Sequence, residues 1–83
     1  MKTTLLREQF ASLAHDMWSG WMAYLFTKCD RAENGGLTIR RETLARWNRQ
    51  MATSYAKLPE GEKESDRDQA DKMLAIIKKF EAQ

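Results

Sequence analysis

Three amphipathic segments organise this chain. From Thr4 to Cys29 the apolar residues Leu6, Phe10, Leu13, Met17, Trp21 and Leu25 recur at steps of three and four. An α-helix turns once every 3.6 residues, so this spacing draws one stripe along a helix. Trp18, Met22 and Phe26 widen the stripe, which predicts contact on more than one side. Gly20, set between two tryptophans, predicts the close approach of a neighbouring backbone. A second helix is predicted from Arg40 to Ser54, with Leu44, Trp47 and Met51 on a face that Tyr55 continues. A third is predicted from Pro59 to Phe80, where Ala70, Met73, Leu74, Ile77 and Phe80 form the stripe expected to be buried. No segment alternates apolar and polar residues, so no strand is expected.

The breaks between these segments have their own chemistry. Asn34-Gly35-Gly36 closes the stretch from Asp30, and such residues tolerate the positive φ of tight turns. Leu37-Thr38-Ile39 is expected to be extended or to lead into the second helix. Leu58 precedes a proline, which pushes it out of the α region, and Pro59 suits the opening of the next helix. Glu60, Glu62 and Glu64 near that opening, with Lys78 and Lys79 near the far end, match the helix dipole. The expected fold is therefore all-α. It is one domain, residues 1–83, a small bundle of three main helices spanning about 4–29, 40–54 and 59–80.

Composition sharpens this picture. A chain of 83 residues buries only roughly 60% of its unfolded surface, so its core is thin. Three Trp, three Phe, two Tyr and five Met offset some of that with large side chains. Self-association into a homodimer is another way to complete a small core. Cys29 is the sole cysteine and His15 the sole histidine, a set that makes neither an intramolecular disulfide nor a protein zinc site. No metal or other cofactor is expected, and a reducing, cytoplasmic location fits. The first residues predict no signal peptide, and no apolar run reaches the roughly 18 residues of a membrane span.

The net charge of +2 is unevenly laid out. Residues 37–58 hold five basic side chains (Arg40, Arg41, Arg46, Arg49 and Lys57) against Glu42 alone, whereas residues 59–83 hold five basic against seven acidic. A basic block followed by an acidic helix start reads either as solvated surface or as two partner-binding faces. The candidate contacts are Arg40, Arg41, Arg46, Arg49 and Lys57 on one side and Glu60, Glu64 and Asp68 on the other. The block is too short and mixed for a DNA reader, and no helix-turn-helix pattern accompanies it. A protein partner is therefore favoured over DNA.

His15 is the one acid–base candidate near the aromatic cluster. No serine or cysteine stands in a triad-like relation to it, so it reads as a histidine bridging a helix junction, with ligand binding as the alternative. Trp21 and Trp47 read as core, and Trp18 lies at the stripe's edge. Tyr55, Asp66 and Arg67 read as a structural lock in which Asp66 and Arg67 pair across helices; the alternative gives Arg67 a phosphate to bind.

Two segments resemble a known family. Leu13-Ala14-His15-Asp16-Met17-Trp18, followed by Gly20-Trp21, resembles the "His, two residues, Trp" helix of ryanodine-receptor-type repeat domains. Tyr55-Ala56-Lys57-Leu58-Pro59-Glu60, continuing through Glu62-Lys63 to Asp66-Arg67, resembles that domain's closing motif. Small phage and bacterial proteins of this type look similar as well, since they carry an Arg-Trp helix like Arg46-Trp47. The chain lacks the "Gly-Trp-Tyr-Gly"-like segment of the receptor repeats. The resemblance implies a non-enzymatic phage-type accessory protein. Its expected partner is a host protein complex, as in an inhibitor of a bacterial defence system that acts, like an anti-CRISPR, by occluding a surface. The alternative it implies is a module that binds a nucleotide signal through a pocket of His15, Trp18 and Arg67 with Arg46.

Overall fold

The structure, a computed structural model, describes residues 2–82. Met1 and Gln83, the two ends of the expected domain, lie outside the described residues. Three helices form a small, mostly helical bundle: α1 (Lys2–Thr27), α2 (Arg41–Met51) and α3 (Glu60–Glu81). α1 packs against α3. The expected helical architecture is present, and each helix starts or stops within a few residues of its pattern.

The expectation of a strand-free chain is corrected. Between α1 and α2 lies a hairpin of β1 (Cys29–Arg31) and β2 (Leu37–Ile39). The strands pair antiparallel, with Cys29 opposite Ile39, Asp30 opposite Thr38 and Arg31 opposite Leu37. Strands of three residues are too short to display an alternating pattern, so the signal lies wholly in the turn. Gly35 has φ of +85°, a conformation that a Cβ disfavours. The side-chain oxygen of Asn34 accepts the Gly36 N–H at 2.9 Å, and the Gly36 carbonyl accepts the Ala32 N–H at 2.9 Å. At the open end, the Arg40 guanidinium donates to the Asp30 carboxylate at 2.7, 2.9 and 3.1 Å.

The joint between α2 and α3 is also local chemistry. A single 3-10 turn, Tyr55–Lys57, follows Ser54. Leu58 is then extended, φ −68° and ψ 150°, as a residue before proline must be. Pro59 stands just outside α3, and its carbonyl accepts the N–H groups of Glu62 and Lys63, both at 3.0 Å. This geometry aims Leu58 inward. It is the one buried residue among those described, at 9% exposure.

That last fact corrects the expected core. On α1 the stripe residues Leu6, Phe10, Leu13, Met17 and Leu25 are half-buried, while Trp21 is 53% exposed. On α3 Phe80 is half-buried, but Ala70, Met73, Leu74 and Ile77 are exposed. Trp47 is half-buried, and Trp18 at the edge is exposed. The envelope of Cα atoms measures 51 × 33 × 16 Å, elongated and flattened. Periodicity identifies which side of a helix shuns water. It does not say whether the same chain supplies the cover.

Candidate interaction faces

The three helices enclose an open cleft of about 830 Å³. α1 supplies Met17, Trp21 and Tyr24, α2 supplies Trp47, and α3 supplies Met73 as the apolar walls. Trp21 meets Tyr24 edge to face, with ring centroids 5.5 Å apart, a favoured aromatic arrangement. Gly20 also lines the cleft, but a Cβ there would meet nothing within 4 Å. The expected close approach of a neighbouring backbone is therefore absent, and the cleft is open at that point.

Charges of both signs stand on the cleft walls: Asp16, Glu62 and Asp66 against Arg46 and Lys72. Arg49 donates to one oxygen of Glu62 at 2.6 Å and so fastens α2 to α3. The other oxygen of Glu62 and the side-chain oxygen of Gln69 are shielded from solvent, and neither has a donor among the described residues. Shielded acceptors of this kind are uncommon, because an unmade hydrogen bond forfeits the water it displaced.

The opposite face of α3 is acidic. Glu60, Glu64, Asp68 and Asp71 succeed one another at steps of four and three, and all are exposed. Arg67 stands among them, 3.0 Å from Glu60 and 3.2 Å from Glu64. Lys63 lies 3.7 Å from Glu60. The Arg67 guanidinium, more than any other neighbour, holds the Glu60 carboxyl below its ordinary value. Arg67 is held above its own ordinary value by Glu60 first, then Glu64, then the Tyr55 hydroxyl. Tyr55 thus sits against the start of α3, where the Lys63 ammonium also lies 5.8 Å from its ring centre. The expected pairing of Asp66 with Arg67 across helices is corrected. Adjacent residues diverge by about 100° around a helix, so Arg67 turns to glutamates of its own helix while Asp66 lines the cleft.

The basic block divides by role. Arg40 is spent on Asp30, whose carboxyl it holds below the ordinary value, and Arg49 is spent on Glu62. These two expected partner contacts are braces within the chain. Arg46 lines the cleft. Arg41 and Lys57 are exposed and make no ion pair among the described residues.

The expected ligand pocket of His15, Trp18 and Arg67 is not assembled. The His15 and Trp18 rings are 6.2 Å apart on α1, and His15 Nε2 lies 3.4 Å from the Ser19 hydroxyl. Neither ring lines the cleft, and Arg67 is committed to Glu60 and Glu64. The cavity that does exist uses Trp21, Trp47, Arg46 and Lys72 instead. Lys72 and Gln69 are not among the expected site residues, although Gln69 lies three residues from Asp66 and four from Met73, and Lys72 three beyond Gln69, which places both on the cleft side. Among the described residues, no group of three His, Cys, Asp or Glu side chains could hold a metal ion, and no helix is long and apolar enough to cross a membrane.

No protein-family model, curated protein or solved structure gives a significant match to this chain.

Proposed function

We propose that this is a non-enzymatic interaction protein of phage type that inhibits a bacterial defence complex by covering one of its surfaces. The observation that carries the reading is the outer face of α3. There Glu60, Glu64, Asp68 and Asp71 point to solvent in one row. Asp68 and Asp71 make no ion pair among the described residues. A row of carboxylates one helical turn apart complements a basic surface, and a defence complex that holds nucleic acid carries such a surface along the backbone path. The resemblance of the His15–Trp21 and Tyr55–Arg67 segments to small phage proteins supports the same class of partner. Its site of action would be the host cytoplasm.

Two measurements test this. Expressed in a host carrying an active CRISPR system, the protein restores plaque formation by a targeted phage, and the charge reversal Asp68→Lys abolishes that gain while leaving the circular dichroism spectrum unchanged. A folded wild-type protein that restores no plaques against any defence system of its hosts overturns the reading.

A nucleotide-signal module is the second reading. The cleft has the volume of a small-molecule site, with Trp21 and Trp47 available for stacking and Arg46 and Lys72 for phosphate. Asp16, Glu62 and Asp66 on the same walls oppose a polyanion. A thermal shift with nucleotides or cyclic nucleotides, abolished by Trp47→Ala, would favour it over the first.

A further inference from the structure

We propose that a second copy of this chain covers the cleft side of the bundle, so that the working protein is a two-fold homodimer. This goes beyond the inhibitory reading, which rests on the opposite face of α3.

The chain exposes more area than a lone folded unit of its size. The chain exposes 7142 Å², whereas a compact monomer of its 9.7 kDa mass exposes about 5100 Å². The surplus of roughly 2000 Å² per chain exceeds the roughly 800 Å² a partner contributes to a standard interface and matches the largest class, obligate homodimers. Its shape agrees. The radius of gyration is 16.8 Å, against about 12 Å for a compact chain of this length and about 15 Å for one twice as long.

The uncovered side is also rich in large apolar side chains. Trp21, Tyr24 and Met73 are each more than two-fifths exposed and line the cleft. Ile77, one turn beyond Met73 along the same stripe, is also exposed. A single water-facing aromatic is ordinary, but a contiguous set at a cleft is characteristic of an interaction surface.

The charges on this side select the occupant. A two-fold interface pairs a patch with itself, so the patch must carry both halves of every polar contact. This one does. Asp16 and Asp66 supply acceptors, and Arg46 and Lys72 supply donors. A purely basic partner would leave Arg46 and Lys72 unmatched, and a purely acidic one would leave Asp16 and Asp66 unmatched.

Sedimentation velocity on the purified full chain, over about a hundredfold range of concentration, tests the proposal. The expected result is a species of twice the 9.7 kDa chain mass, with a melting temperature that rises with concentration. Ile77→Asp is expected to abolish that species, leaving either single chains or an unfolded chain. Asp68→Lys, on the opposite face, is expected to keep the two-chain mass even where it loses inhibition. A single-chain species that melts cooperatively at a fixed temperature overturns the proposal and leaves the cleft to the host complex or a small ligand. A trimer or larger assembly overturns the two-fold arrangement. Retention of the two-chain mass and the wild-type melting temperature by Ile77→Asp, or loss of that mass in Asp68→Lys, overturns the placement of the interface.

Discussion

The joint between α2 and α3 and the cleft between α1 and α3 are neighbours in space but differ in completeness. At the joint, a proline-set corner buries Leu58, the Pro59 carbonyl takes two helix N–H groups, and Arg49 grips Glu62. In the cleft, Trp21 and Met73 face water and the Gln69 oxygen has no donor among the described residues. The joint links segments a few residues apart, so turn chemistry and one side chain suffice. The cleft links segments nearly fifty residues apart in sequence (Trp21 and Gln69, for instance), and closing such a distance takes apolar area. A short chain has little of that area to spare.

If the joint is the finished part of the molecule, it is where truncation costs most. Leu58→Ala is expected to destabilise the fold by about 2–4 kcal/mol, because the corner cannot collapse around the lost methyl groups. Urea unfolding measures this, and a change within error of zero would erase the contrast. Arg49→Ala is expected to cost about 1 kcal/mol, the worth of a half-exposed ion pair plus the partial desolvation of the carboxylate it abandons. Its effect should appear in a double-mutant cycle with Glu62→Gln and should not depend on protein concentration. The smallest effect is expected from acid. Asp30 and Glu60 have carboxyls held below their ordinary values of 3.8 and 4.5 by Arg40 and Arg67. The stability they contribute is therefore present above those ordinary values and is lost as pH falls through the lowered ones. Both groups are exposed, so melting temperatures should hold down to about pH 5 and decline only gently below it from this source. A steep loss above that pH would show that these two pairs are not the source of the acid sensitivity.

The parts of the fold that were readable in the sequence are those with local causes. The stripes on α1 and α3, the extended residue at Leu58 and the glycine turn at Gly35 follow from periodicity and backbone sterics. The hairpin's strands are not legible because three residues carry no period, and Arg40 looks like a free contact in sequence because its partner Asp30 stands ten positions back. The candidate pocket failed for a similar reason. His15, Trp18 and Arg67 are chemically suitable, but a helix sends adjacent residues in different directions, so Arg67 faces the glutamates while Asp66 enters the cleft. Trp21, Met73 and Ile77 are exposed against expectation because hydrophobic spacing reports a preference for cover and is silent about its source.

The placement of the tryptophans gives the molecule an optical gauge of its own. Trp21 and Trp47 look into the cleft, while Trp18 stands outside it beside His15. Indole emission shifts to the blue when its surroundings dry. Whatever settles over the cleft, a second copy or anything else, would dim the wet signal of two rings and spare the third. A Trp18→Phe variant would then report the event from the cleft alone, with no label attached.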